Sequence, residues 1–366
     1  MKKNPLLYMF ISVLFILALL DFIAPDKKFS ELENRTLKTK VKFTAKSYLD
    51  GSFGRDYEKY INDQFIERDL WINLKSRSEN ILGKVENNGI IYGNYGYLFE
   101  KFTYIDNERF NTNINAVNTL IKNSQAKISL LIAPNSYGVY DENLPYGAPV
   151  INQKLGISKI YENILGENEV NVYPRIIENK ADYIYYKTDH HWTTQGAYVA
   201  YEELMKSLGN SPIVLNDYEG IDIPNFYGTY YSKAKPFKAD TDTLTYYDFP
   251  NIKMKIGENE YNSLYDMSKE KVRDKYSLFL YGNNPLTIIE NTKLDNGKKL
   301  LVFKDSYANS LIPFLTQHYE EIHVVDLRSF NTSVSQYILE GEFDDIFVIY
   351  NFINFTRDMD VVKLRG

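Results

Sequence analysis

Apolar strand-like runs alternate with helical patterns along much of this chain, and that alternation constrains its fold more than any other feature. Lys127-Ile128-Ser129-Leu130-Leu131-Ile132-Ala133-Pro134 is apolar almost throughout and ends in a Pro/Asn/Ser loop. That is how a parallel strand covered on both faces reads. Lys299–Lys304, Ile322–Arg328 and Ile346–Asn351 repeat the pattern. Helical spacing lies around these runs, over Arg109–Asn123, about 153–165, Gln195–Leu208 and about 333–340. The order predicts an α/β protein whose parallel sheet is flanked by helices on both faces. A further run, Asp182-Tyr183-Ile184-Tyr185-Tyr186, reads as a buried strand leading into the Gln195–Leu208 helix, with Thr193 or Thr194 placed to cap it.

The start of the chain has another character. Met1-Lys2-Lys3 precedes an apolar run from Leu6 to Leu20 that continues through Phe22, Ile23 and Ala24 past Asp21. Its length approaches a bilayer span, and the lysines before it place the N-terminus inside. The run reads as an uncleaved anchor. A cleaved signal peptide competes with that reading, although Asp21-Phe22-Ile23-Ala24-Pro25 is a poor small-x-small cleavage site. A cytosolic protein with an apolar start is the third reading. Either of the first two puts everything after Pro25 outside the membrane.

The expected organisation is therefore a transmembrane anchor or signal over 1–24, a stalk and helical cap over 25–84, and a catalytic domain over 85–366. In the cap, Tyr48, Phe53, Tyr57, Ile61, Phe65 and then Leu70, Ile72, Leu74, Ile81 follow helical spacing, and the break at Asp63-Gln64-Phe65 predicts two helices. Gly89 to Phe99 reads as a short hairpin. From about 209 to 298, tyrosines, glycines and short β-like pieces predict a β-rich insertion that folds beside the sheet and walls a site.

Composition excludes several function classes. The chain has 366 residues and a net charge of −6, which argues against nucleic acid as a partner because phosphate neutralisation needs a basic face. It has no cysteine, so there is no disulfide framework, thiolate nucleophile or zinc–thiolate site. Tyrosine stands at 32 residues; its rings serve core, interface and sugar-stacking surface alike.

The candidate chemistry lies on loops that leave predicted strands. Lys187-Thr188-Asp189-His190-His191-Trp192-Thr193-Thr194 holds half of the chain's 4 histidines. In an extended segment Asp189 and His191 point one way and His190 the other, which suits a carboxylate orienting an imidazole base. Ser306 follows the Lys299–Lys304 strand and precedes a helical stretch, the placement of a nucleophile whose helix amides stabilise an oxyanion. Asn351, at another strand end, can donate to the same oxyanion, and Arg328 stands close behind a third.

Each residue has a plainer reading. Asp305-Ser306 before a helix reads as a cap, Asn351 as a turn residue, and Trp192 as a core plug rather than a sugar platform. The Asp-His-His run could bind a metal, but the remaining histidines, His318 and His323, belong to a helix end and a strand, so no metal is expected. A DHH-type phosphoesterase would need paired aspartate motifs near its start, where this chain has its apolar run. The conjunction of Asp, His, Ser and Asn on one rim carries more weight than any one of them.

Thr188-Asp189-His190-His191-Trp192-Thr193 resembles the signature of the DHHW-motif family, which is similar to the alginate O-acetylation proteins. Phe29-Ser30-Glu31-Leu32-Glu33-Asn34-Arg35, Asp63-Gln64-Phe65-Ile66-Glu67-Arg68-Asp69 and Lys304-Asp305-Ser306-Tyr307 match that group as well. The resemblance implies an SGNH-hydrolase-like fold with a rearranged motif order. It also implies Ser306 as nucleophile, His191 as base and Asp189 as its orienting acid. Asn351 takes the place of the asparagine block and Arg328 the region of the glycine block, although no Gly-x-Asn-Asp follows either strand. Trp192 and Tyr307 complete the expected substrate-binding set. The spacing is Asp-x-His, as in the acetylation branch, rather than the hydrolases' Asp-x-x-His.

The resulting expectation is an extracytoplasmic, membrane-anchored O-acetyltransferase acting on a cell-surface polysaccharide. It would need no cofactor of its own. Its acetyl supply would come from a partner, by analogy a multi-spanning membrane acyltransferase, since acetyl-CoA is cytosolic. An acetyl esterase using the same residues with water as acceptor, and a non-catalytic glycan-binding or assembly protein, are the alternatives.

Overall fold

The apolar runs assemble into one eight-stranded sheet. In the computed structural model, which describes residues 4–30, 35–166, 168–236 and 239–366, the strands of this sheet are β1 (Lys127–Ala133), β2 (Glu169–Val170), β3 (Ile252–Ile256), β4 (Asn259–Tyr261), β5 (Leu286–Asn291), β6 (Lys299–Lys304), β7 (Glu321–Val325) and β8 (Asp345–Asn351). Their order across the sheet is β4-β3-β5-β7-β6-β8-β1-β2. The run from β7 to β2 is parallel, whereas β5, β3 and β4 join antiparallel. Register pairs Lys304 with Ile349 and Asn351 with Ala133, so β6, β8 and β1 end together on one edge.

The segment expected to fold beside the sheet instead supplies three of its strands, β3, β4 and β5. The reason is written in Ile252-Lys253-Met254-Lys255-Ile256, where Ile252 and Met254 are buried and the lysines exposed. Such alternation suits an antiparallel strand with one wet face. A separate hairpin, Gly220–Phe226 with Asp242–Tyr247, comes from the same segment.

The longer helices, with the short one that follows β8, are in chain order α1 (Pro5–Ile23), α2 (Ser52–Gln64), α3 (Arg68–Ile81), α4 (Asn107–Asn123), α5 (Gln153–Glu162), α6 (Thr194–Ser207), α7 (Val334–Gly341) and α8 (Phe352–Arg357). In α4, Asp106 caps the amides of Glu108 and Arg109, and Phe110, Ile114, Val117 and Leu120 form the buried stripe. Each such side chain contributes roughly 1.5–3 kcal/mol on burial. Thr193 caps α6 by accepting from Gly196 N at 3.2 Å.

The run before α6 is not a strand. Lys180–Asp182 is a 3-10 turn and Tyr183 has a left-handed backbone at φ 52°. Ile184, Tyr185 and Tyr186 are nonetheless fully buried, with a single bridge from Tyr185 to Trp192. Here apolarity signals burial among side chains rather than pairing in a sheet, with the hydroxyls of Tyr183 and Tyr185 finding partners of their own, as Tyr185 does at Pro134 O, 2.5 Å.

By contact the chain divides into two compact units, Met1–Asn87 with Ser232–Lys238, and Asn88–Tyr231 with Ala239–Gly366. The second holds the sheet. In the first, α1 has 19 residues and a mean hydropathy of 2.6, long and apolar enough to cross a membrane. The two expected cap helices are α2 and α3, separated by an extended Phe65 and a left-handed Glu67. The stretch after α1 is a strap laid on α2, with Arg35 pairing to Asp63. Of the Phe29–Arg35 motif, residues 31–34 lie outside the described residues, as do Met1, Lys2 and Lys3.

Candidate active site

Where β6 ends, Asp305 caps a single 3-10 turn, Ser306–Ser310. The turn is too short to carry the helix dipole expected there, so any help to an oxyanion must come from individual N–H groups. The Asp305 carboxylate holds the turn to its neighbours. One oxygen accepts from Tyr307 N at 2.9 Å; the other accepts from Asn351 N (2.8 Å), Asn351 Nδ2 (2.6 Å) and Asn354 Nδ2 (3.1 Å). Trp192 Nε1 donates to Tyr307 O at 2.9 Å and Ser310 Oγ at 3.0 Å from the other side. Among the described residues the Ser306 N–H, first amide of the turn, has no acceptor.

His191 meets this turn from α6's leading loop. Its Nε2 lies 2.7 Å from Ser306 Oγ, and its Nδ1 lies 2.6 Å from Asp189 Oδ1. Asp189 is fixed by further donors: His191 N at 3.0 Å and Thr229 N at 2.7 Å. Gly228 must be glycine here, because a Cβ would fall 2.2–2.5 Å from Asp189. The amides of Gly228 and Tyr231 bond Thr188 Oγ1 and Thr188 O, both at 3.0 Å. Behind the loop, buried Asp242 accepts from Lys187 N (2.9 Å), Thr188 N (2.8 Å) and the Tyr183 hydroxyl.

Burial pushes the Asp189 carboxyl up, but His190 and His191 beside it hold it well below the usual range. Burial likewise brings the His191 imidazole down to about 4, helped by His190 and opposed by Asp189. At neutral pH the site therefore has an ionised Asp189 and a neutral His191. The Nδ1 proton then faces the carboxylate and the Nε2 lone pair faces Ser306, the tautomer a general base requires. The Tyr276 ring stacks flat on His191, with centroids 3.6 Å apart and planes at 7°. Its hydroxyl donates to Ser306 O at 3.0 Å.

His190 does not point away. The loop is bent rather than extended, its ring lies 3.7 Å from that of His191, and 26% of its side chain is exposed. The ligating atoms of Asp189, His190 and His191 lie within 4.8 Å of one another, yet both His191 nitrogens already face Asp189 and Ser306. His318 is engaged by Tyr201, and His323 by Tyr337 and Glu321.

The structure thus brings Ser306, His191 and Asp189 together and leaves the other expected site residues in different roles. Asn351 is buried, with its amide nitrogen on Asp305 and its Oδ1 accepting from Asn135 and Asn354, so it braces the edge. Trp192 and Tyr307 are fully buried, so neither presents a face to a sugar. Tyr307 accepts from Asn135 and donates to the His190 carbonyl. Arg328, partly exposed on the rim, is paired with both oxygens of Asp326. Nearby Lys304 is buried, its ammonium 2.6 Å from Asn283 Oδ1, and burial lowers its pKa to about 8. Gly228, Thr229, Asp242 and Tyr276 escaped the sequence reading. All four lie in the segment of about 209 to 298 that was expected to wall a site, where nothing in the local pattern singled them out.

The family profile described as DHHW protein matches residues 85–325. The chain belongs to the DHHW family. A DHHW family protein from Eubacterium siraeum shares the fold, with a TM-score of 0.66 and 23% identity over 77% of this chain and 96% of that one. Bacillus cereus PatB1, in a structure with a sulfonyl adduct, gives 0.61 and 20% over 76% and 100%. The O-acetyltransferase domain of Pseudomonas putida AlgJ gives 0.45 and 13% over 76% and 98%. A comparison with curated proteins gives no match. The E. siraeum and PatB1 structures agree with this DHHW chain in its α/β sheet flanked by helices.

Proposed function

We propose that this DHHW protein is a membrane-anchored, extracytoplasmic O-acetyltransferase that acylates hydroxyls of a cell-surface polysaccharide through Ser306, His191 and Asp189. The observation that carries the reading is the continuous line from Asp189 Oδ1 through His191 to Ser306 Oγ, at 2.6 and 2.7 Å. Ser306 Oγ passes its proton to His191 Nε2 and attacks the acetyl carbonyl carbon. The tetrahedral intermediate collapses, the bond to the donor oxygen breaks, and His191 returns the proton to that oxygen. A sugar hydroxyl then gives its proton to His191 and attacks the acetyl-serine; collapse releases the acetyl ester and restores Ser306. The Ser306 N–H is a donor available to the oxyanion in both steps. Asp189 supports the imidazolium that forms each time. The acetyl donor would be a multi-spanning membrane acyltransferase, and α1 the anchor that holds the chain beside it.

The full chain, purified in detergent, tests this with a chromogenic acetyl ester, a sulfonyl fluoride and an acetylatable oligosaccharide. The reading expects ester turnover, sulfonylation of Ser306, and acetyl transfer to the oligosaccharide, all lost in Ser306→Ala and His191→Ala. Turnover unchanged in Ser306→Ala removes the mechanism. Turnover without transfer makes the protein an esterase.

A further inference from the structure

The apolar helix α1 does not end in a free stalk. Asp21, the only charge in α1, accepts a hydrogen bond from Ile66 N at 2.9 Å. Ile66 belongs to the turn between α2 and α3. Lys27 N donates to Gln64 Oε1 at 2.8 Å, and Gln64 Nε2 returns a bond to Lys27 O at 2.9 Å. Asp26 accepts from the Tyr60 hydroxyl and from Lys40 N, both at 3.0 Å. The α2–α3 turn is therefore pinned to the last turn of α1 and to the residues that follow it.

At about 1.5 Å per residue, the 19 residues of α1 span roughly 28 Å, close to the hydrocarbon thickness of a bilayer. A carboxylate is costly in hydrocarbon, so Asp21 marks the depth at which a spanning α1 reaches the headgroups. The turn bonded to Asp21 then lies at headgroup level. It is also where apolar side chains stand exposed: Phe65 at 38%, Leu70 at 60% and Trp71 at 44%. Leu70, Trp71 and Leu74 share a face of α3 by their spacing. Lys27, Lys28 and Lys40 are exposed as well, with Lys27 bonded to Gln64 and Lys40 to Asp26.

We infer that the α2–α3 turn is a foot on the membrane surface, with Phe65, Leu70 and Trp71 seated among the phospholipid headgroups of the leaflet that α1 leaves. The inference rests on reading α1 as a retained span. Lipid is the occupant because the turn is tied to the end of the span, and the chemistry matches. Tryptophan and other aromatic side chains favour the interface, and the exposed lysines of the strap favour anionic headgroups. The foot prevents the helical unit from swinging on a flexible tether.

Trp71 reports on this directly, since the other tryptophan, Trp192, is fully buried. The full chain is placed in nanodiscs of phosphatidylcholine and phosphatidylglycerol carrying bromine near the headgroup end of the acyl chains. Retention of α1 is checked by intact mass. About half of the Trp71 emission should be quenched, the quenching should vanish in Trp71→Phe, and Leu70→Glu should reduce it at least twofold. Unquenched Trp71 in discs that retain α1 overturns the foot while leaving the anchor intact, and a cross-linked dimer or bound membrane protein through Trp71 would do the same. A mass lacking the first 24 or so residues retires the anchor and the foot together, with ester turnover still free to stand.

Discussion

His191 has both ring nitrogens engaged and its face covered, and each contact constrains a different property. The Asp189 bond sets the tautomer, the Ser306 bond sets the direction of Nε2, and the Tyr276 ring sets the plane of the imidazole. Replacing Tyr276 with Phe keeps the ring and removes the bond to Ser306 O, whereas Leu removes both. Sulfonylation of Ser306 should therefore fall roughly tenfold or more in Tyr276→Leu and only a few-fold in Tyr276→Phe; equal rates in the two variants would assign the effect to the hydroxyl. The pH dependence follows from burial. A histidine of ordinary pKa loses its base form below about 6.5, but His191, brought down to about 4, stays neutral well below that. The acid limb of the sulfonylation rate should thus lie near 4, and a limb near 6.5 would contradict the buried imidazole. The candidates Asp189, His191 and Ser306 were legible in the sequence because histidine is rare there, at 4 residues, and all three sit on loops beside apolar runs. Tyr276 was not, since one tyrosine among 32 carries no mark of the ring it covers.

At the level of elements, the site depends on a loop held from two sides. Asp242 takes the amides of Lys187 and Thr188, and the Gly228–Tyr231 backbone closes on Thr188 and Asp189. The side chain of Gly228 is absent because Asp189 occupies its space. Gly228→Ala should displace Asp189 and lower the sulfonylation rate roughly a hundredfold, with far-ultraviolet circular dichroism unchanged, as for a small misplacement of a catalytic group. An unaltered rate would show that the clamp is dispensable. Contacts of this kind join residues some forty positions apart, as Thr229 to Asp189 are, and no local pattern encodes them. The strands β1, β6, β7 and β8 were legible because burial on both faces leaves uninterrupted apolar runs. The same logic failed at Tyr183–Tyr186, where burial without pairing leaves the same residues, and it undervalued β3 and β5, where buried residues alternate with more exposed ones, and β4, which has no buried residue.

Across the sheet-bearing unit, the carboxyl edge of the sheet is knit by one acid. Asp305 joins the end of β6 to the end of β8 through Asn351 and to α8 through Asn354, and Asn351 passes the connection to Asn135 after β1. Ser306 is the next residue, yet the two should behave oppositely. Ser306→Ala removes a hydroxyl whose one partner among the described residues is His191, so it should abolish sulfonylation and leave the melting temperature within a degree or two. Asp305→Ala strands buried donors at Tyr307 N, Asn351 N, Asn351 Nδ2 and Asn354 Nδ2. Each unsatisfied group costs about 1–3 kcal/mol, so the total is several kcal/mol even after the edge relaxes. With each kcal/mol worth about 2–4 °C in a domain of this size, thermal melting monitored by circular dichroism should shift down by roughly 10 °C or more. A melting temperature equal to that of the unmodified protein would mean that these donors find other acceptors, and that the edge holding Ser306 is not organised by Asp305.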